Sequence, residues 1–151
     1  MVDSLVTLER SLIFIKPDHT KFADKIFSEL DSYGSRIANA KVDSVPISLI
    51  EAHYFPHKGK SFFGYMTGSY VGRSIVLAVY QGENIIYNLM QVIGETDPSK
   101  AHAHTIRARY SDDSMEKAIK EQRPVRNVIH RSDSLEEALR EINVWQEFLN
   151  Q

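Results

Sequence analysis

Hydrophobic residues form two continuous runs along the chain, SLIFI at 11–15 and SIVLAVY at 74–80. Short runs with apolar residues at successive positions are typical of strands that are buried on both faces. Pro17 ends the first run, because proline has no backbone N–H to donate to a sheet. We therefore predict two central strands, together with weaker strands at 36–45 and 127–130.

Apolar residues elsewhere recur at the three- and four-residue spacing of amphipathic helices. Three helices are predicted, with these buried stripes: Phe22, Ile26, Phe27 and Leu30; Ile86, Leu89, Met90 and Ile93; and Leu135, Ala138, Leu139 and Ile142. Gly34 and Gly94 are predicted to end the first two helices, Gly34 in the left-handed conformation.

Two Ser-x-x-Glu sequences, beginning at Ser48 and Ser134, match the capping box that begins a helix. The first predicts a short helix through Tyr54, and another short helix is expected near 61–66. Residues 95–109 are polar and lack a period, so we predict a loop there. Residues 112–122 predict a short exposed helix, with acidic residues first and basic residues later, as the helix dipole favours.

The predicted order of elements is β-α-β-α-α-β-α-loop-β-α. Without the small insert this order is βαββαβ, the ferredoxin-like arrangement. We therefore expect an α+β fold: a four-stranded antiparallel sheet with helices on its faces and an insertion before the last strand. A doubly wound parallel sheet is the alternative with the same alternation. A length of 151 residues predicts one domain over 1–151.

The composition is that of a soluble globular protein, with 42% hydrophobic and 25% charged residues. A net charge of -2 disfavours a generally basic nucleic-acid binder. The absence of cysteine excludes disulfides and thiol catalysis. No apolar run approaches the length of a membrane span, and the first ten residues are acidic where a signal peptide needs basic ones. We expect a cytoplasmic protein without a membrane partner.

His130 is the first candidate for chemistry, since it ends the predicted last strand and precedes a helix N-terminus. A neutral imidazole can act as a nucleophile or carry a proton near pH 7. The backbone amides of the helix that follows Ser134 favour an anion such as phosphate. A histidine with a purely structural role is the competing interpretation of this position.

Other candidates are spread along the chain. Lys16 follows a buried strand and could bind phosphate as a point charge, although a solvated surface lysine is the alternative. Arg107 lies in the polar loop, where it could bind phosphate or simply be solvated. Tyr54 and Phe62 are either ordinary core or surface aromatics, or they supply a hydroxyl donor and a stacking face for a base. His102 and His104 with His130 make a poor metal-binding pattern. The sequence contains no P-loop and no kinase loop signature, so a phosphate site must be built from scattered side chains.

Four separated segments resemble nucleoside diphosphate kinases in order and spacing. They are ERSLIFIKPD (9–18), EAHYFPHKGKSFF (51–63), GETDPSKAHAHTIR (94–107) and RNVIHRSDSLEEALREI (126–142). The resemblance runs from about residue 9 to residue 145. It implies transfer of the γ-phosphate of a nucleoside triphosphate to a histidine and then to a nucleoside diphosphate, by a ping-pong path with Mg²⁺.

The resemblance also implies roles for individual residues. His130 matches the phosphorylated histidine, and Glu141 matches the glutamate that orients it. Lys16 belongs to the catalytic set, and Phe62 matches the aromatic residue on which the base stacks. The phosphate and ribose contacts match Lys16, Tyr54, Thr96, Arg107 and Asn127. Asp133 matches an aspartate near the water shell of Mg²⁺. Nucleoside di- and triphosphates are therefore the expected ligands, with a homo-oligomer and no specific nucleic acid as further expectations.

The sequence departs from the family pattern at several positions. Met90 replaces a phosphate-binding arginine, and Arg131 replaces the glycine that follows the histidine. The segment between Arg107 and His130 is about ten residues longer than in the family. We expect these extra residues to alter the cleft mouth or a subunit contact. Residues 103–109 lack the glycines and proline of a loop that joins subunits, which leaves the subunit number open.

Three hypotheses follow from the sequence. An active nucleoside diphosphate kinase is the leading one, because the histidine, lysine, arginine, asparagine and glutamate are retained. A nucleotide-binding module that has lost turnover is the second, favoured by Met90 and Arg131. A non-enzymatic interaction protein or nucleic-acid binder is the third, which the acidic charge balance disfavours.

Overall fold

The computed structural model describes residues 8–150. Within them four strands form one antiparallel sheet in the order β2-β3-β1-β4. The strands are β1 (Leu8–Ile15), β2 (Ser35–Val42), β3 (Ile75–Glu83) and β4 (Ile129–Arg131). The same residues form seven α-helices: α1 (Ala23–Leu30), α2 (Ile47–His53), α3 (Phe63–Gly68), α4 (Ile85–Ile93), α5 (Ile106–Tyr110), α6 (Met115–Lys120) and α7 (Leu135–Leu149). The α+β, ferredoxin-like prediction is confirmed, and the parallel-sheet alternative is wrong.

Strand β1 lies between β3 and β4 and is buried on both faces over residues 11–15. Successive side chains of a strand point to opposite faces, so β1 contributes to two hydrophobic cores. Leu12 and Phe14 pack with Trp145 of α7 on one face. Ile13 and Ile15 pack with α1 and α4 on the other. The continuous apolar run therefore reflects burial between two layers of helices, as predicted.

The helix that was predicted after Pro17 is present, but its stop signal differs. Ile26, Phe27 and Leu30 are buried as expected. Asp31, where α1 ends, is right-handed, and Gly34 does not have a positive φ. Glycine is required there for space, since a Cβ on Gly34 would lie 2.8 Å from the carbonyl oxygen of Gln81 and 2.7 Å from Ile85 Cδ1. Gly94 does end α4 with a φ of 98°.

The predicted buried stripe of α7 is wrong at two positions. Leu135 and Leu139 are exposed, Leu139 to 56%. The face against the sheet instead buries Ala138, Glu141 and Trp145. A carboxylate at position 141 did not fit a hydrophobic pattern, so the pattern placed the stripe on the neighbouring leucines. The buried stripe of α4 is likewise centred on residues 85, 89 and 93, with Ile86 and Met90 only half-buried.

Helix capping explains the other differences from the prediction. The Ser134 hydroxyl accepts a hydrogen bond from the Glu137 backbone N–H, as a capping box requires. Ser48 makes no cap, because α2 already begins at Ile47 after Pro46. The predicted loop 95–109 contains a short 3-10 turn and the start of α5, whose first residues are capped by the Thr105 hydroxyl. None of the helices in residues 8–150 is long and apolar enough to cross a membrane.

Candidate active site

A cleft of about 520 Å³ opens at the β4 edge of the sheet. Because β4 is an edge strand, side chains from the loops and helices on both sides of the sheet reach this cleft. All nine residues that the resemblance singled out line it: Lys16, Tyr54, Phe62, Thr96, Arg107, Asn127, His130, Asp133 and Glu141. The fold thus brings together side chains that lie far apart in the sequence.

His130 is held between a ring and a carboxylate. Its imidazole stacks on Phe14 of β1, with ring centroids 4.8 Å apart and an angle of 21°. Its Nε2 lies 2.9 Å from Oε1 of Glu141. The Ser132 hydroxyl donates to the same Oε1 at 2.8 Å and accepts from the Leu12 backbone N–H. In its carboxylate form Glu141 accepts both contacts at Oε1, and the His130 Nε2 then carries the proton while Nδ1 keeps its lone pair.

Burial and neighbouring charge set the protonation of this pair. Burial lowers the pKa of His130 well below its usual value, and the Lys16 ammonium lowers that pKa further. Burial also raises the pKa of Glu141, while the hydrogen bond from Ser132 opposes that rise. The imidazole is therefore neutral at pH 7, which is the form that can act as a nucleophile.

Two cations, Lys16 and Arg107, line the cleft with His130, and neither forms an ion pair with a carboxylate of residues 8–150. The Lys16 Nζ donates to Oδ1 of Asn127 at 2.5 Å, and burial followed by the Arg107 charge lowers its pKa to about 7. Arg107 is buried and donates to the backbone oxygens of Gly94 (3.0 Å) and Ile129 (2.8 Å). Burial and the Arg131 charge lower the pKa of Arg107 to about 10. A pocket in which cations depress one another's pKa values favours an anionic ligand.

The backbone before His130 adopts a strained turn. Val128 has a φ of 80°, and the Ile129 N–H donates to the Asn127 oxygen at 2.9 Å, which makes a γ-turn. The Val128 oxygen in turn accepts from the Lys16 backbone N–H at 2.8 Å. A β-branched residue rarely adopts a positive φ, and such strain concentrates at functional sites. The turn shortens the predicted strand, which begins at 129 instead of 127.

Apolar side chains from two segments also line the cleft. Phe62 is one of them, with its ring centroid 5.5 Å from that of His57. Met115 and Ile119 of α6 line the cleft as well, and they belong to the segment that is longer than in the family. The extra segment therefore lies at the cleft, one of the two places expected from the sequence. Tyr54 lies deeper, with its hydroxyl 3.2 Å from that of Tyr70.

Two arrangements in the structure bear on metal binding. Ligand atoms of His53, His130 and Glu141 lie within 4.8 Å of one another. However, the Trp145 indole N–H donates to Nδ1 of His53, His130 is bonded to Glu141, and the adjacent cations oppose a metal ion. Asp133 is different, because its side chain is 84% exposed and a hydrated metal ion can reach it, although its Oδ1 already accepts from Arg131 at 2.9 Å. His102 and His104 are not among the residues that line the cleft with His130, so that metal pattern is wrong.

The sequence did not single out two side chains that help to build the site. Ser132 stands two residues after His130 and shares its face of the chain, a spacing that could have suggested contact with the same carboxylate. His53 is buried against His130, with ring centroids 4.5 Å apart, and has no distinguishing pattern. Met90, in contrast, is not among the cleft residues.

Comparison with known proteins gives the same family from sequence and from fold. The sequence model described as nucleoside diphosphate kinase matches residues 9–149. A nucleoside diphosphate kinase of Staphylococcus epidermidis strain RP62A is 33% identical over 140 residues, covering 91% of this chain and 87% of the relative. The enzyme of Staphylococcus aureus strain JH9 gives the same identity and coverage.

Solved structures share the fold. A nucleoside-diphosphate kinase from Borrelia burgdorferi, a transition state mimic with bound vanadate and ADP, superposes with a TM-score of 0.85 at 24% identity, over 95% of this chain and 92% of that one. The nucleoside diphosphate kinase of Encephalitozoon cuniculi gives a TM-score of 0.77 at 28% identity, over 91% and 88% of the two chains.

Proposed function

The chain belongs to the nucleoside diphosphate kinase family, and on that basis we propose that it transfers the γ-phosphate of a nucleoside triphosphate to a nucleoside diphosphate through a phosphorylated His130. One observation carries this proposal. The His130 Nε2–H is held by Glu141, which leaves Nδ1 as the nucleophilic atom in a cleft that Lys16 and Arg107 make electropositive.

The reaction follows from this geometry in two balanced steps. The Nδ1 lone pair attacks the γ-phosphorus, the P–N bond forms, and the bond from phosphorus to the β,γ-bridging oxygen breaks, which releases the nucleoside diphosphate. The imidazolium that forms keeps its Nε2 proton, and the Glu141 carboxylate stabilises its charge. In the second step an oxygen of the acceptor diphosphate attacks phosphorus, and the P–N bond breaks. The neutral imidazole is restored.

The remaining residues bind and orient the nucleotide. Lys16 and Arg107 neutralise the charge of the transferred phosphoryl group, which is the main requirement of phosphoryl transfer. Tyr54, Thr96 and Asn127 offer hydroxyl and amide groups to phosphate and ribose oxygens. Phe62 at the mouth offers a face on which any base can stack, so a broad nucleotide range is expected.

Mg²⁺ is proposed as the cofactor, and it would neutralise phosphate charge when bound with the nucleotide. Asp133 would hold it through a water molecule, because this carboxylate is 84% exposed and bonds Arg131 through Oδ1, which leaves Oδ2 for the metal-bound water. A homo-oligomer and a cytoplasmic location are also proposed. Edge strand β2, on which Ile37 is exposed, is a surface on which a second copy could pair.

Steady-state kinetics with two substrates test the proposal. Varying a nucleoside triphosphate at several fixed concentrations of a different nucleoside diphosphate should give parallel double-reciprocal lines, as a ping-pong path requires. His130→Gln should bind nucleotide and lose turnover. Intersecting lines would contradict a phosphoenzyme path. Nucleotide binding without turnover in the wild type would favour the module that has lost its activity.

A further inference from the structure

Arg131 has an unusual position for a charged residue. It pairs with Ile13 in the sheet, whereas His130 pairs with Phe14, so the two side chains leave β4 on opposite faces. The face of Arg131 is the one covered by α4 and α5. Arg131 nevertheless lines the same cleft as His130, since β4 is the edge strand. Its side chain is only 10% exposed.

The guanidinium of Arg131 is incompletely compensated. Its Nη1 donates to Oδ1 of Asp133 at 2.9 Å, but that carboxylate is largely in water, which screens its charge. The Nε of Arg131 is buried and finds no acceptor among residues 8–150. Burying an incompletely paired charged group is costly, so this guanidinium favours a further acceptor. Nε itself is enclosed, so the exposed part of the guanidinium at the cleft is where a ligand can reach it.

The surroundings of Arg131 define the chemistry of that acceptor. Arg107 lines the same cleft as Arg131, and the Arg131 charge lowers the pKa of Arg107. The same charge also lowers the pKa of His130. Helix α4 contributes no lysine or arginine to this part of the site. The ligand must therefore be an anion with several oxygens that can accept from two arginines at once.

We infer that Arg131 binds the terminal phosphates of the nucleotide beside His130, and that Asp133 positions its guanidinium for this contact. The inference rests on the proposed function, because it assigns a further contact to the same transferred group. Asp133 then affects nucleotide binding by holding the Arg131 guanidinium in place, in addition to any contact with hydrated Mg²⁺.

Nucleotide binding by calorimetry tests the first part. Arg131→Met should weaken ADP binding by about tenfold to a hundredfold, as expected for the loss of a charge-assisted contact. The affinity for AMP, which lacks the terminal phosphate, should change much less. Arg131→Lys should restore part of the ADP affinity. Arg10→Met, an exposed arginine on β1 that bonds Gln81, is the matched control and should leave both affinities unchanged.

Two results would overturn the contact. Equal affinity of Arg131→Met and wild type for ADP would show that the guanidinium does not touch phosphate. Tighter binding by Arg131→Met would show that the side chain crowds the site. If the wild type itself neither binds ADP nor transfers phosphate, the proposed function fails first, so the two failures are distinguishable. Circular dichroism and the unfolding midpoint confirm that each variant is folded.

A double-mutant cycle tests the positioning role of Asp133. Asp133→Asn should weaken ADP binding in the wild-type background and have almost no further effect in Arg131→Met, because its action passes through the guanidinium. Measurements without divalent metal keep the two roles of Asp133 apart. Fully additive effects in the absence of metal would contradict the positioning role.

Discussion

At the scale of single residues, the site depends on how one carboxylate is used. Glu141 accepts from His130 and from Ser132 through the same oxygen, and Ser132 is anchored to the backbone of Leu12 in the central strand. This chain of contacts fixes both the tautomer and the direction of the imidazole. Burial raises the pKa of Glu141, so burying its charged form costs free energy. The hydrogen bonds of the network offset part of that cost.

Glu141→Gln is expected to lower turnover on the order of 10²-fold, a typical loss when an acid–base partner is removed. The amide has no charge to stabilise the imidazolium, and its NH₂ group can donate to Nε2 and place the histidine proton on Nδ1 instead. ADP affinity, measured by calorimetry, should change little. A variant with wild-type turnover would show that Glu141 does not set the tautomer.

Lys16→Met is expected to reduce turnover by about 10²-fold or more without a matching loss of stability. Lys16 has a pKa of about 7 in the folded protein and a higher one when unfolded. Between the folded and the unfolded pKa of Lys16 the unfolded chain binds more protons than the folded one. The free-energy cost of burying the Lys16 charge is therefore full below pH 7 and disappears as the pH rises towards 10.5. The substitution should therefore stabilise the protein more at pH 6.5 than at pH 9.5 in urea unfolding. Equal losses of turnover and stability would contradict this account.

The sequence could predict these residues only through the resemblance. His130 and Lys16 each had a plain structural alternative, since a histidine at a strand end or a lysine after a strand is common. The contact of Nε2 with Glu141 depends on how α7 packs across the sheet against β1, which no local pattern states. Ser132 and His53 were missed for the same reason, because their roles arise from tertiary contacts and not from spacing.

At the scale of elements, the end of α4 and the start of α5 are locked together. Gly94 has a φ of 98°, and a Cβ there would lie 2.6 Å from Oγ1 of Thr105. Thr105 caps α5, and the Gly94 oxygen accepts from Arg107. The position of the Arg107 guanidinium therefore depends on the absence of a side chain at residue 94.

Gly94→Ala is expected to destabilise the protein by about 1–3 kcal/mol, from backbone strain and displacement of the Thr105 cap. It should also weaken ADP binding, because Arg107 loses its anchor. Gly59→Ala is the matched control, since Gly59 has a φ of 92° but nothing within 4 Å of the added Cβ. Urea unfolding and calorimetry measure both effects. If the two variants lose the same ADP affinity, strain alone explains the change.

The segment that carries α6 is anchored by Arg123, which pairs with Asp113 and also with the exposed Glu121. Arg123 bonds both carboxylate oxygens of Asp113, at 2.7 and 2.9 Å, and the Arg126 backbone N–H donates to the same group. These hydrogen bonds lower the pKa of Asp113 well below its usual value. The helix that lines the cleft mouth is therefore held by a carboxylate rather than by a large apolar face.

Asp113→Asn is expected to reduce the free energy of unfolding by about 2 kcal/mol at pH 7, the size of a hydrogen bond to a charged group. Because the folded pKa is depressed, the contribution is present above about pH 4 and is lost as the pH falls towards the folded pKa. The difference between variant and wild type should thus shrink between pH 5 and pH 3. A constant difference across that range would show that charge is not the cause.

Elements were predictable where burial alone decides them. Strands β1 and β3 and helix α1 followed the hydrophobic pattern closely, whereas the buried stripe of α4 is shifted to residues 85, 89 and 93. Helix α7 did not follow the hydrophobic pattern, because Glu141 is buried beside His130 while Leu135 and Leu139 are exposed. Helix α5 was missed, since five residues with two arginines have no readable period, and the γ-turn at Val128 was missed because valine gives no signal for a positive φ.

At the scale of the whole molecule, the sheet determines where the cleft lies and which side chains reach it. Two cores pack against opposite faces of β1, and the cleft opens at the β4 edge where loops from both layers meet. A net charge of -2 coexists with a cleft that holds Lys16, Arg107 and Arg131. The positive potential is therefore local, which attracts phosphates without making the protein a general polyanion binder.

The most direct test of the account is the chemistry of the labelled enzyme. After incubation with ATP that carries a labelled γ-phosphate, the wild type and the exposed-histidine control His104→Ala should hold a label that is labile in acid, stable in alkali and discharged by a nucleoside diphosphate. His130→Ala should bind ATP and remain unlabelled. A wild type that binds ATP without acquiring label, or equal labelling of His130→Ala, would contradict the central claim.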